Sequence, residues 1–125
     1  MQEILSINNL YVKYDKNCRE NVLKDLSMTI NDREIIGLIG ESGCGKSTTA
    51  KAIMGLLKYS GDIKIYGKNI DSMTRKERAR EVEMIFQNPY NSLDPRMKVK
   101  NILMEPFKIH HLYSPDERNS KVKRM

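Results

Sequence analysis

Eight consecutive residues constrain this chain more than any other stretch: Gly40-Glu41-Ser42-Gly43-Cys44-Gly45-Lys46-Ser47. They satisfy the pattern GxxxxGK[ST] at every fixed position. Glycines let a backbone wrap tightly and aim successive N–H groups at one anion. Lys46 adds a point charge suited to β- and γ-phosphates, and Ser47 offers a hydroxyl of the kind that ligates Mg²⁺. A helix beginning at Lys46 would point its positive end at the same place. A chance match to four fixed positions in a chain this long is roughly a half-per-cent event at average residue usage. The flanks agree with the motif. Glu34–Ile39 is a nearly continuous apolar run with three isoleucines, which predicts a strand buried on both faces, as in a parallel sheet. Ala50, Ile53, Met54 and Leu57 fall at helical spacing and predict a helix over Lys46–Leu57, with Gly55 its weak point. Strand, glycine loop and helix together define an α/β class. Cys44 reads as a small residue whose backbone is in use, because no His-containing partner set accompanies it.

The rest of the chain supplies elements around this unit. Ile4, Leu5, Ile7, Leu10 and Val12 predict a strand over Glu3–Val12, with a slip in the alternation at Asn8-Asn9. Asp15–Asn21 is polar and reads as a hairpin loop. Val22–Ile30 resumes alternation, and Asn31-Asp32 is a turn signal. Ser60-Gly61-Asp62 breaks the chain before a short strand through Ile63, Ile65 and Tyr66, turned by Gly67-Lys68-Asn69. Thr74 with Glu77 predicts a capping box that opens a charged helix to about Arg80. Val82–Phe86 reads as another short strand. Asn88–Pro95 has loop chemistry. Pro95 to about Leu103 is expected to be helical, with Val99, Ile102 and Leu103 on one face and Pro106 ending or kinking it. Ser114-Pro115-Asp116-Glu117 is a helix-start signature. Only eight residues follow Glu117, mostly polar and basic, which leaves the expected element without a core face. The chain therefore reads as the opening part of something longer.

Composition narrows the classes. Of 125 residues, 39% are hydrophobic and 30% charged, which is polar for a globular chain yet not a disordered pattern. Lys and Arg total 22 and Asp and Glu 16, giving +6. That excess suits anionic partners, or simply a solvated basic surface. The basic residues are dispersed among acids, as in Arg75, Lys76, Arg78 and Arg80 between Glu77, Glu81 and Glu83, without aromatic interleaving, so no nucleic-acid partner is expected. No apolar run approaches the ~20 residues that span a bilayer. The start MQEILSINNL lacks a basic segment before an apolar one, so no secretory signal is expected. Cys18 and Cys44 make neither a disulfide framework nor a zinc site, which fits a reduced, cytoplasmic chain.

From GESGCGKST, preceded by DREIIGLI, the sequence resembles the Walker A region of ATP-binding-cassette (ABC) transporter ATPases. MIFQNPYNSLDPRMKVKNILMEPFKIH is similar to the Q-loop region of the subgroup that energises oligopeptide, dipeptide and nickel importers. The match runs through Ile85, Phe86, Gln87, Pro89, Ser92, Leu93, Pro95 and Arg96, then Glu105, Pro106, Ile109 and His110. The resemblance covers about Ile4 to Tyr113.

The resemblance implies a P-loop NTPase core with an N-terminal antiparallel β subdomain, broken off before the Walker B strand. Residues 1–87 would hold the β subdomain, Walker A and the Q-loop glutamine, and residues 88–125 the rest of the Q-loop and an incomplete helical subdomain. It implies ATP and Mg²⁺ as cofactors. Gly40, Glu41, Ser42, Gly43, Cys44, Gly45, Lys46, Ser47 and Thr48 would cradle the phosphates, and Ser47 would ligate Mg²⁺. Gln87 would ligate Mg²⁺ or orient the attacking water, and Lys46 and Gln87 would be the catalytic pair. Tyr14, in VKY, falls where the family stacks an aromatic on adenine, with Tyr11 the second candidate. The implied partners are transmembrane permease subunits, a second ATP-binding subunit, identical or homologous, and indirectly a substrate-binding protein. The implied location is peripheral, on the cytoplasmic face of the cell membrane.

Three family features have no counterpart in these 125 residues. They are the LSGGQ signature, an aliphatic run ending in Asp-Glu, and the switch histidine. Asp116-Glu117 follows Ser-Pro in a polar turn, and His110-His111 reads as an exposed pair near a helix end. The expectation is an ABC-type ATP hydrolase by kinship whose 125-residue chain alone turns over little or no ATP. The alternative is a truncated, non-catalytic nucleotide-binding remnant without transport activity.

Overall fold

The computed structural model describes residues 2–13 and 21–125. Tyr14, Cys18 and nearly all of the expected Asp15–Asn21 loop lie outside the described residues. The chain divides into two compact units, Met1–Met84 and Ile85–Met125.

The first unit is built on a four-stranded antiparallel sheet in the order β2-β1-β3-β4. The strands are β1 (Glu3–Val12), β2 (Leu23–Asn31), β3 (Tyr59–Ile65) and β4 (Lys68–Asn69). The slip in the β1 alternation becomes a bulge. The pairing register of β1 shifts between Ile7 and Leu10 against β2 and between Asn8 and Tyr11 against β3. Asn9 sits there at φ 48°. One extra residue changes the face on which later side chains emerge. Leu5 and Ile7 before it, and Leu10 and Val12 after it, therefore all reach one core. Asn9 is held from β2, where Ser27 Oγ accepts its N–H at 2.9 Å and Asp25 Oδ1 accepts its Nδ2 at 2.7 Å.

Ile7, Leu10, Val12, Ile63 and Ile70 are fully buried. Each contributes about 1.5–3 kcal/mol by leaving water. Helix α1 (Lys46–Ile53) adds Ala52 to this core. A single turn of 3₁₀ helix, Ile70–Ser72, leads from β4 to helix α2 (Arg75–Glu81). The expected box caps α2. Thr74 Oγ1 accepts the Glu77 N–H at 3.2 Å, and Glu77 Oε2 accepts the Thr74 N–H at 2.7 Å.

Several expectations are corrected. Glu34–Ile39 forms no strand: Ile35 is 99% exposed and Ile39 97%. A doubly buried strand needs a neighbour on each side. Among the described residues the sheet is antiparallel throughout, and none of its strands lies beside this run. Val82–Phe86 forms no strand for the same reason. Val82 caps α2 in an extended conformation, and Ile85 is 93% exposed. The helix expected to reach Leu57 ends at Ile53, where Gly55 turns left-handed at φ 66°. The turn placed at Gly67-Lys68-Asn69 lies one residue earlier. Tyr66 and Gly67 both take positive φ, 49° and 75°, and Lys68 and Asn69 form β4.

The second unit consists of a short 3₁₀ turn (Pro89–Ser92) and two packed helices, α3 (Val99–Ile109) and α4 (Pro115–Arg124). Pro106 neither ends nor breaks α3. The helix continues through it, with the His110 N–H on the Pro106 carbonyl at 3.0 Å and the Leu112 N–H on the Phe107 carbonyl at 2.9 Å. Packing holds both sides of the proline. Met104 is buried, and the Phe107 ring meets Tyr113 edge-on at 5.6 Å. Met104 is the buried anchor rather than Val99, which is 71% exposed. His110, half-buried, caps α3 and His111 is exposed. The signature at Ser114 does complete a helix. Its capping box closes, Val122 is buried, and Lys121 Nζ lies 4.3 Å from the Tyr113 ring centre.

Candidate nucleotide-binding site

The loop from Gly40 to Gly45 is shaped by its own backbone and by one side chain. Gly43 and Gly45 take φ 84° and 104°, values at which a β-carbon is strained. At Gly45 the space is also taken, because Leu23 at the start of β2 packs against its Cα. The Cys44 N–H reaches the Glu41 carbonyl at 3.3 Å, which closes the loop. Lys46 folds back across it. Its Nζ donates to the carbonyls of Gly40 and Glu41, both at 2.6 Å, and lies 3.4 Å from Cys44 Sγ. The ammonium is thus centred on the loop it serves.

Helix α1 begins directly behind. Its N-cap, Gly45, has no side chain to offer, and its first turn holds no acidic residue. The N-cap thus makes no side-chain bond to the first turn, and the positive end of the helix dipole lies beside the loop. Thr49 ties this end down. Its N–H and Oγ1 both donate to the Gly45 carbonyl, at 2.8 and 3.0 Å. Thr48 and Thr49 are buried, and Ser47 is exposed.

These residues fit a polyphosphate. A β-carbon built on Gly43 would have no atom within 4 Å, so a ligand meets bare backbone there. The Lys46 ammonium and a helix start without an acidic residue both place positive charge beside the loop. They also fit Mg²⁺. That ion keeps most of its waters and takes one or two protein oxygens beside phosphate, so one exposed hydroxyl is an adequate donor. Among the described residues no group of three His, Cys, Asp or Glu side chains could hold a metal by itself.

The structure gathers Gly40, Glu41, Ser42, Gly43, Cys44, Gly45, Lys46, Ser47 and Thr48 in one loop and helix start. Gln87 is exposed and belongs to the second unit. Tyr14 lies outside the described residues, and Tyr11 is half-buried in β1, paired opposite Ser60. Sequence reasoning missed Leu23 and Thr49. Leu23 had no signal beyond its place in the β2 pattern. Thr49 was visible as a threonine one turn into a predicted helix, a position from which its hydroxyl reaches the preceding turn.

A model of the ABC transporter family matches residues 23–125. The oligopeptide transport ATP-binding protein OppF of Haemophilus influenzae is 44% identical over 109 residues, covering 82% of this chain and 32% of that protein. The di/tripeptide transport ATP-binding protein DppF of Pseudomonas aeruginosa is 39% identical, covering 82% and 33%. The oligopeptide transport ATP-binding protein AppF of Bacillus subtilis is 37% identical, covering 80% and 32%. The chain spans about a third of the length of these curated relatives. Among solved structures, a bacterial Atm1-family ABC exporter with ATP bound superposes with a TM-score of 0.57 at 25% identity, covering 62% of this chain and 14% of that one. No helix among the described residues is long and apolar enough to cross a membrane.

Proposed function

Since the chain belongs to the ABC transporter family, we propose that it carries the Walker A phosphate site of an importer's ATP-binding subunit, for oligopeptides, dipeptides or nickel. The single observation that carries this is the geometry at Lys46. The ammonium sits on the Gly40 and Glu41 carbonyls, directly before an uncapped helix start. The names of the similar proteins support peptide cargo.

Lys46 would leave the loop carbonyls for the β- and γ-phosphates, exchanging neutral acceptors for charged ones. The peptide N–H groups of Gly43, Gly45, Lys46 and Ser47 would hold the same oxygens. When bound, Mg²⁺ would neutralise phosphate charge and order the phosphate oxygens, with the Ser47 hydroxyl among its ligands. Gln87 keeps the role the resemblance gives it, toward Mg²⁺ or the attacking water. Tyr14 remains the adenine-stacking candidate. Permease subunits, a second ATP-binding subunit and, indirectly, a substrate-binding protein complete the proposed assembly at the cytoplasmic face of the membrane.

Binding rather than turnover is the property we assign to these 125 residues, which contain no aliphatic run ending in Asp-Glu to supply a base. Equilibrium dialysis with labelled Mg-ATP tests the site: the chain should bind, and Lys46→Ala should not. Robust steady-state hydrolysis abolished by Lys46→Ala would overturn the assignment of binding without turnover.

A second reading, a non-catalytic nucleotide-binding remnant with no transport activity of its own, is supported by the exposed Ile35, Ile39 and Ile85. Sequencing the transcript past the codon for Met125 separates the two. A frame encoding LSGGQ, an Asp-Glu strand end and a later His supports the transporter subunit. An immediate stop with no such segment supports the remnant.

A further inference from the structure

The far end of α1 is tied down as deliberately as the phosphate end. Gly55 and Leu56 close it with paired bonds, from the Gly55 N–H to the Ala52 carbonyl at 2.8 Å and from the Leu56 N–H to the Lys51 carbonyl at 2.9 Å. The Met54 carbonyl is left over, and it goes to Arg78. The Arg78 Nη1 donates to Met54 O at 3.4 Å, and its Nη2 to Ile70 O at 3.0 Å. One guanidinium thus bridges the cap of α1 and the turn after β4. Ile70 is itself fully buried in the core. The bridge also requires residue 55 to be glycine, because a β-carbon there would overlap the Arg78 guanidinium.

The packing of α1 makes this tether matter. The helix has 8 residues and buries only Thr48, Thr49 and Ala52, a single narrow stripe. A short rod held along one stripe is free to tilt unless both ends are fixed. Thr49 fixes the phosphate end through the Gly45 carbonyl. Arg78 fixes the other, and its charge suits the negative end of the helix dipole. A two-turn helix is about 12 Å long and stiff. Displacing one end therefore displaces the N–H groups at the other.

We propose that Arg78 is a positioning residue for the phosphate site, acting through α1: it holds the far end of the helix so that the first-turn N–H groups stay aimed at the Gly40–Gly45 loop. This rests on the reading of that loop as an ATP site.

The test uses the full 125-residue chain with Arg78→Met and Arg78→Lys. Two quantities are read: Mg-ATP affinity by equilibrium dialysis, and amide hydrogen exchange resolved by segment. Arg78→Met should weaken Mg-ATP binding about three- to tenfold. It should speed exchange within residues 46–53 and leave the protection of β1 and β3 unchanged. Arg78→Lys reaches one carbonyl but not both, so it should fall between. It also carries the test if the Met variant fails to fold. Unchanged affinity overturns the proposal, and so does a loss of protection spread equally over α1, β1 and β3. Failure of the wild-type chain to bind Mg-ATP is a different result, which overturns the reading of the loop itself.

Discussion

Leu23 occupies the space that a β-carbon on Gly45 would need. The first residue of β2 thereby constrains the end of the Gly40–Gly45 loop, although 22 positions separate Leu23 and Gly45 in sequence. Gly45→Ala would force both a strained φ of 104° and a shift of Leu23. It should destabilise the first unit by about 2–4 kcal/mol and abolish Mg-ATP binding. Urea denaturation and dialysis measure the two effects separately. A variant of full stability that still binds would contradict the packing described.

Lys46→Met should behave differently. Its bonds to Gly40 and Glu41 are solvent-accessible, so stability should change by no more than about 1 kcal/mol. Mg-ATP affinity should fall at least about tenfold, since a charged donor to phosphate is lost. Ser47→Ala should retain binding of ATP without metal and lose the gain from added Mg²⁺. Titrations with and without Mg²⁺ decide this.

Ile63 is fully buried at the centre of the sheet core. Ile63→Ala should cost about 2–5 kcal/mol in chemical denaturation. Ser114→Ala, which removes the cap of α4, should cost about 1 kcal/mol and act on the second unit. Hydrogen exchange should therefore rise in residues 115–124 alone.

Glu77 predicts an acid dependence. The Thr74 N–H, first, and the Lys68 ammonium at 2.9 Å stabilise its carboxylate and lower its pKa to about 2 from 4.5. A carboxylate with a lowered pKa in the folded state adds stability at pH values above the unfolded pKa. That contribution fades as pH falls from about 4.5 toward about 2. Glu77→Gln should flatten this part of a stability–pH curve, measured by thermal unfolding from pH 6 to pH 2, about the range over which the group titrates.

The Gly40–Gly45 turn and the start of α1 behind it were legible in sequence because local chemistry fixes residue types at fixed spacing. The two capping boxes at Thr74 and Ser114 were legible for the same reason, being local. The expectations that failed at Glu34–Ile39 and Val82–Phe86 needed a neighbouring strand that the described residues do not supply. Ile35, Ile36 and Ile39 have the composition of an inner strand, but a strand exists only where another lies beside it. Val82–Phe86 failed likewise. Pro106 was read by its local rule, whereas α3 runs through it, with Met104 buried before it and the Phe107 ring against Tyr113 after it. At α4 the polar sequence hid Val122, whose burial depends on α3. Leu23 and Arg78 were invisible as partners of Gly45 and Gly55, because neither pair is local.

The bulge at Asn8-Asn9 has a consequence for how this strand can change over generations. Leu5 and Ile7 share the core with Leu10 and Val12 only because one surplus residue is absorbed between them. Losing that residue would bring the two halves into plain alternation with the same side chains still facing inward. Elsewhere along β1 a single-residue deletion would turn half the strand inside out. The strand thus carries one joint at which its length is negotiable.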